Sequence, residues 1–402
     1  MSHLYDQSPL GKGFSGDLFG RLKIAEPYTI FDSTHRYSQD GDYDDVIVGS
    51  GSTSGIITSQ STATLTIGST SGCSYIRESK RVFKYQPGKS LQCLQTFVFN
   101  EPKANLVQRV GYASSENGLL LERDGLNVNY VLRTAKSGVS TSIVVAQSDW
   151  SHDPLDGTGP SGYTLNLDKC QIMFSEFEWL GAGSVRAGFV IDGKFIIAHQ
   201  FNHANYIDSA YMTTASLPVR YEIFNSGNVG SASTLKQICV TVQSNGGYER
   251  KVSPNTVQPA APLTGIGLTF KPLVSYTLAP GREDSIILPH DIRALPLTNN
   301  INYQIALIKN ASLVGSAFSV SNSPNVYFDV TATSLSGGEI FHTEYVTGSN
   351  QASGAIAFTE EYNWDLQLGR TQSKVSDIIT LAVRTLSGTG DAIGAISFYD
   401  LT

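Results

Sequence analysis

The chain has 402 residues, more than a single hydrophobic core ordinarily organises, so length alone predicts two domains. Charged residues are 16% of it and hydrophobic ones 41%, with 38 glycines, which excludes a disordered chain and describes an apolar, loop-rich globular protein. Lys plus Arg is 28 against 35 for Asp plus Glu, a net charge of −7, and no stretch gathers enough basic residues to line a phosphate backbone, which argues against nucleic-acid binding.

Residues 1–45 are polar, Gly-rich and without strand rhythm, and they read as an extended arm. Its apolar side chains, Leu18, Phe19, Leu22, Ile24, Tyr28, Ile30 and Phe31, need a surface supplied from elsewhere, so they are the candidate interface residues. The first twenty residues lack the apolar centre of a signal peptide, and no run of eighteen apolar residues follows. Neither a Sec address nor a membrane span is therefore expected.

From residue 46 to 248, short alternating or β-branched runs recur every ten residues or so, bounded by Gly, Asn, Asp and Ser. Strands are predicted at DDVIVG, TATLTIG, QCLQTFVF, NLVQRVGYA, GLLLERD, NVNYVLRT, STSIVVAQ, QIMFSEFEWL, SVRAGFVID, KFIIAHQF, PVRYEIFN and LKQICVTVQ, enough for a large β-sandwich or jelly roll. Asp192–Gly193 lies between two apolar runs and Asp124–Gly125 repeats the device. Such pairs supply the positive φ of a type I′ hairpin. Composition shifts within SNGGYERKVSPNTVQPAAPL, giving a linker over 249–263. Residues 264–402 carry a second set of runs, from TGIGLTF to AIGAISFYD, and form a smaller C-terminal sandwich. The fold class is thus all-β: two β-sandwich or jelly-roll-like domains with an N-terminal extended arm.

Candidate chemistry is sparse. Asp153 and Asp156 in WSHDPLDGTGPSG offer oxygens to Ca²⁺, but Asp and Gly in a loop are ordinarily turn devices. His199 and His203 are four apart where the region reads as strand followed by loop, and four residues of strand span roughly 13 Å, too far for one ion. Glu176 and Glu178 in SEFEWL, like Glu360 and Glu361, resemble the carboxylate pair of a glycosidase, yet neighbours on one strand face more often form a solvated surface, there paired with Arg186. No GxSxG, HExxH or P-loop occurs. No catalytic residue, metal or cofactor is assigned. Cys73, Cys93, Cys170 and Cys239 form no CxxC pair and are expected to be buried free thiols of a reducing compartment. The 19 tyrosines suit surfaces half apolar and half wet, whether subunit interfaces or sugar platforms.

Over FKYQPGKSLQCLQTFVF, RVGYASSENGLLLERDGLNVNYVLRT, DWSHDPLDGTGPSGYTLNLDKCQIMFSEFEWLGAGSVRAGFVIDGKFIIAHQFNHAN and YMTTASLPVRYEIFN, the chain resembles virion structural proteins of tailed bacteriophages, particularly marine and cyanobacterial ones. ALIKNASLVGSAFSVSNSPNVYFDVTATSLSGGEIF and LQLGRTQSKVSDIITLAVRTLSGTGDAIGAISFYDL resemble the C-terminal β-domain of phage particle proteins. The resemblance implies a non-enzymatic capsid, vertex, neck or tail component. Such a component is assembled in the host cytoplasm into the virion and partnered by its own copies and other virion proteins. An adhesin that binds a host receptor or surface glycan is the alternative.

Overall fold

The structure, a computed structural model, describes residues 17, 19–20, 26–249, 252–349, 354–357 and 364–402. The chain divides into two compact units, Met1–Glu249 and Arg250–Thr402.

Unit 1 contains two sheets. One comprises β1 (Tyr28–Thr34), β3 (Thr53–Ile57), β4 (Thr62–Ile67), β6 (Ser90–Val98), β11 (Gln171–Phe177), β12 (Val185–Ile191), β13 (Lys194–Phe201) and β15 (Ser233–Asn245). Its order is β13-β12-β11-β6-β15-β4-β3, with β1 also paired to β15. The other comprises β2 (Tyr43–Val48), β5 (Ser74–Ser79), β7 (Leu106–Ala113), β8 (Gly118–Asp124), β9 (Asn127–Thr134), β10 (Thr141–Ala146) and β14 (Val219–Asn225), ordered β10-β9-β8-β7-β14-β5-β2. The two-residue period of a strand assigns the faces. In β14, Val219, Tyr221 and Ile223 are fully buried on one face, leaving Arg220, Glu222 and Phe224 on the other. The sheets meet through contacts such as Tyr112 of β7 against Phe177 of β11, ring centroids 5.1 Å apart.

The two hairpins turn out differently. Asp192 and Gly193 both have positive φ, 51° and 73°, between paired Ile191 and Lys194, as a type I′ turn requires. In the other, Asp124 pairs with Asn127, so the central residues are Gly125 and Leu126. Only Gly125 has positive φ, 58°, and the turn is of the II′ kind.

The arm expectation is overturned for residues 28–45. Tyr28–Thr34 forms β1 on the eight-stranded sheet, burying Ile30 and Phe31 in their own unit, and Tyr28 stacks on Tyr248 at 5.5 Å. The physical reason lies in Arg77, 1% exposed between the two sheets. Its guanidinium donates to Asp45 Oδ2, to Gln39 Oε1 at 3.2 Å, to the Asp40 carbonyl at 3.2 Å and to Gln237 Oε1 of β15 at 2.8 Å. A buried cation must be paired on every side, and residues 39–45 supply most of that pairing. Phe19 is exposed; Leu18, Leu22 and Ile24 lie outside the described residues.

Unit 2 also pairs two principal sheets. The first joins β16 (Asn255–Val257), β17 (Leu263–Ile266), β19 (Ile287–Pro296), β26 (Gly354–Ala357) and β28 (Gly390–Asp400). The second has the order β22-β23-β18-β27-β20-β25, from β18 (Lys271–Leu278), β20 (Asn302–Lys309), β22 (Ser319–Val320), β23 (Val326–Asp329), β25 (Glu339–Thr347) and β27 (Ile378–Thr385). A small hairpin pairs β21 (Ser312–Val314) with β24 (Ser334–Ser336). Tyr276 of β18 stacks on Phe398 of β28 at 5.6 Å within one apolar core. The segment expected as a linker contributes β16 and β17, both paired to β28, and Val257 enters that core. Its Pro and Asn content reflects strands too short to show alternation.

Val252, Ser253 and Pro254, at the start of unit 2, are exposed, so protease should enter there first. Limited trypsin digestion should cut at Arg250 or Lys251 and leave two resistant fragments; early scission within residues 75–240 would contradict two separately stable units.

Candidate binding cleft

The outer face of the seven-stranded sheet carries a row of charge set by register. Glu222 of β14 lies opposite Ile76 on one side and Arg109 of β7 on the other; Arg109 faces Glu122 of β8, which faces Asn129 of β9. Two residues earlier on β14, Arg220 faces Glu78 of β5. The side chains join accordingly. Arg109 donates to Glu122 at 2.7 Å and to Glu222 at 2.9 Å, and Arg133 donates to both oxygens of Glu222 at 2.9 Å. Arg220 reaches Glu222 and Glu78, while Asn129 donates to Glu122 at 3.0 Å. The Arg109 guanidinium also lies 5.0 Å above the Phe224 ring.

Glu222 is 4% exposed. Burial pushes its carboxyl upward, but the attraction of Arg133 and Arg220, the hydrogen bond from Arg133 and the charge of Arg109 outweigh that and hold it well below the usual carboxylate range. It is a permanent anion saturated by donors. Beside it opens a cleft of about 530 Å³ lined by Ser74, Ser115, Ser142, Asn225, Phe224 and Arg133, among others. Arg109, Arg220 and Glu222 also line it, so the cleft presents hydroxyl, amide and aromatic surface beside three guanidinium groups that are paired to Glu222, Glu122 and Glu78.

None of these residues was a sequence candidate. Their signal is present, as a charge at the outer positions of VRYEIFN and LVQRVGYA, but it becomes a network only once β7 and β14 are known to be neighbours.

The carboxylates that were candidates sit elsewhere. Glu176 and Glu178 are 0% and 1% exposed, which overturns a solvated strand face. Glu176 does pair with Arg186, at 2.6 Å, and accepts from Ser90 Oγ, because antiparallel pairing sets Glu176 opposite Arg186. Glu178 lies near Tyr85, whose hydroxyl burial and then the Glu178 charge push up to about 12. Glu360 and Glu361 lie outside the described residues.

His199 and His203 are buried separately: His199 Nδ1 accepts from the Ser151 amide at 3.0 Å, and His203 stacks flat on Tyr211 at 3.8 Å. Asp153 accepts from the amides of Leu155 and Ser161, and Asp156 from Thr158, which makes both carboxylates turn braces. Among the described residues no group of three or more His, Cys, Asp or Glu could hold a metal ion. The four cysteines are free; Cys73 and Cys93 are buried, but Cys170, just before β11, is exposed and Cys239, at the bulge in β15, is half-buried.

No family model and no curated protein matches the chain. Among solved structures, it is similar to the carbohydrate recognition domain of Emp47p at a TM-score of 0.33 and 11% identity, covering 55% of this chain and 97% of that one. A Bacteroides ovatus mixed-linkage glucan GH16 protein gives 0.35 and 9%, covering 53% and 99%, and the cellulose induced protein Cip1 gives 0.33 and 11%, covering 55% and 99%. Likeness at this level has no bearing on what the chain binds.

Truncating Glu222 to Ala should cost about 3–5 kcal/mol, because the buried Arg220 and the half-buried Arg109 and Arg133 would lose their shared counter-charge. Urea unfolding reads this, and a loss below about 1 kcal/mol, the size of an exposed pair, would refute the network. Acid should destabilise unit 1 in two stages. Burial, then the positive charge of Arg77 and of His152 respectively, pushes His35 and His199 down to about 4. The unfolded chain takes up these protons from about pH 6.5 downward while the folded one does not, so stability held above that pH is lost toward pH 4. Glu222, depressed when folded, adds a further loss below about pH 4.3. A urea midpoint flat between about pH 7 and pH 4 would contradict the assignment.

Proposed function

We propose that the chain is a non-enzymatic structural subunit of a viral particle that self-associates and packs against other virion proteins. The observation that carries this reading is the long, ordered resemblance to tailed-phage virion structural proteins, whose runs fall on β6 to β9 and β11 to β14 of unit 1 and on the strands of unit 2. At the cleft, Glu222 is held ionised by its arginines, whereas a glycosidase needs a carboxylic acid held protonated. The remaining arm, with Leu18, Phe19, Leu22 and Ile24, contacts a neighbouring subunit.

A second reading is favoured by the cleft. Hydroxyls, an amide and an aromatic edge beside a charge-balanced network suit a neutral polyhydroxylated ligand such as a host-surface glycan, which makes the chain an adhesin.

Mass spectrometry of purified particles of a virus encoding the chain should find it in stoichiometric amount; its absence from particles sinks the first reading. Removing residues 1–27 should leave a folded chain, since β1 starts at Tyr28, that no longer enters particles. Normal incorporation would take the arm out of the contact. Binding of neutral oligosaccharides by the isolated protein, lost on Ser142→Trp, would turn the assignment to the adhesin.

A further inference from the structure

Unit 1 has five strands at sheet margins, and four of them are defended. Along β13 the Ala198 carbonyl accepts from the amides of His152 and Asp153, and the Gln200 amide donates to Ser151 Oγ, so a loop covers that edge. On β3 the Gln39 side chain donates to the Gly55 carbonyl at 2.5 Å and to Ser54 at 2.8 Å. The other two carry charge, Asp32 on β1 and Asp44 on β2, where Asp45 is taken up by Arg77 and Val46, Ile47 and Val48 are exposed. Capping and charge are the ordinary means of keeping an edge from pairing with another chain.

The fifth, β10, has neither. Its sequence TSIVVA contains no charge, no proline and no glycine, and its pairing with β9 runs from Thr141↔Thr134 to Ala146↔Asn129 without a bulge. Its other side bonds to nothing among the described residues. Thr141, Ser142, Ile143 and Val144 are all exposed, with Ile143 at 50% and Val144 at 56%. Successive strand residues point to opposite faces, so both faces of β10 are open. On β9 the opposite residues, Leu132 and Val131, are 1% and 2% exposed.

We propose that β10 is a self-association edge, pairing antiparallel with β10 of a second copy about a two-fold axis and joining two seven-stranded sheets into one. Self-pairing suits this strand because a two-fold axis sets each residue against one from the same strand. A charge there would oppose its own copy, and β10 has none. What it does offer is β-branched residues, which form the more favourable cross-strand pairs, and outward amides and carbonyls that the second strand satisfies. The inference rests on the self-association read above and names its surface.

The test uses the full chain in sedimentation equilibrium, with the single variants Val144→Lys and Ile143→Lys. Both sites are exposed, so the fold is retained, as circular dichroism checks. The wild-type chain should dimerise. Each variant should weaken association by at least about tenfold, since it sets like charges near each other across the axis. In parallel, amide exchange of residues 141–146 should slow as the wild-type concentration rises. A wild-type oligomer undisturbed by either variant, with β10 exchange independent of concentration, overturns the edge and leaves self-association through another surface standing. A wild-type chain that stays monomeric at all concentrations overturns both.

Discussion

In the seven-stranded sheet, Tyr221 and Glu222 are consecutive and point to opposite faces, and much of unit 1 follows from that alternation. Tyr221 fills the space between the sheets, while Glu222 is held where Arg109, Arg133 and Arg220 converge. A slip of one residue in β14 would drive Glu222 and Arg220 into the apolar interior and strand the guanidinium groups of Arg109 and Arg133 outside. The apolar face and the charged face therefore impose the same register independently. Burying so much charge is costly, and the cost is met by placing the ions at the outer surface, where alternating signs on adjacent strands pair them directly.

The interior has its own buried cation, and it does a different job. Arg77 reaches from β5 to Gln237 on the opposing sheet and to residues 39–45, and its guanidinium lies 4.4 Å from the Tyr43 ring. Because the donors of a guanidinium are fixed in a planar fork, the strap that answers them is fixed as well. That holds residues 39–45 to the body of unit 1, while pairing with β15 holds Tyr28–Thr34. The contrast between the defended margins of unit 1 and the bare β10 has the same logic. Where the chain reaches an edge, as on β13 and β3, it answers the edge's polar groups, and β10 stands out against that background.

Much of the architecture could be read locally. Strands such as β6, β11 and β14 announce themselves by β-branched and aromatic runs, and the Asp192–Gly193 turn by the positive φ that Asp–Gly pairs adopt readily. What escaped were elements whose signal is short or mixed. Strands β1, β3 and β5 carry Asp, Gly, Arg and Glu at positions that look solvated, and β16 hides among prolines and asparagines. The burial of Glu176 escaped for a related reason: two carboxylates flanking a phenylalanine look amphipathic, and the partner Arg186 legible in the sequence does not by itself show that the pair is enclosed with Ser90.

By itself, then, the amino-acid sequence determined the all-β class, the presence of two strand-rich regions and the turn at Asp192–Gly193, because two-residue periodicity and turn chemistry are properties of neighbours along the chain. The partnership of Glu222 with residues about 90 and 113 positions distant, the enclosure of Arg77 and the exposure of β10 were decided only by tertiary structure. Antiparallel pairing between strands far apart in sequence chooses which charges meet and which edges remain open, and no local pattern encodes that choice.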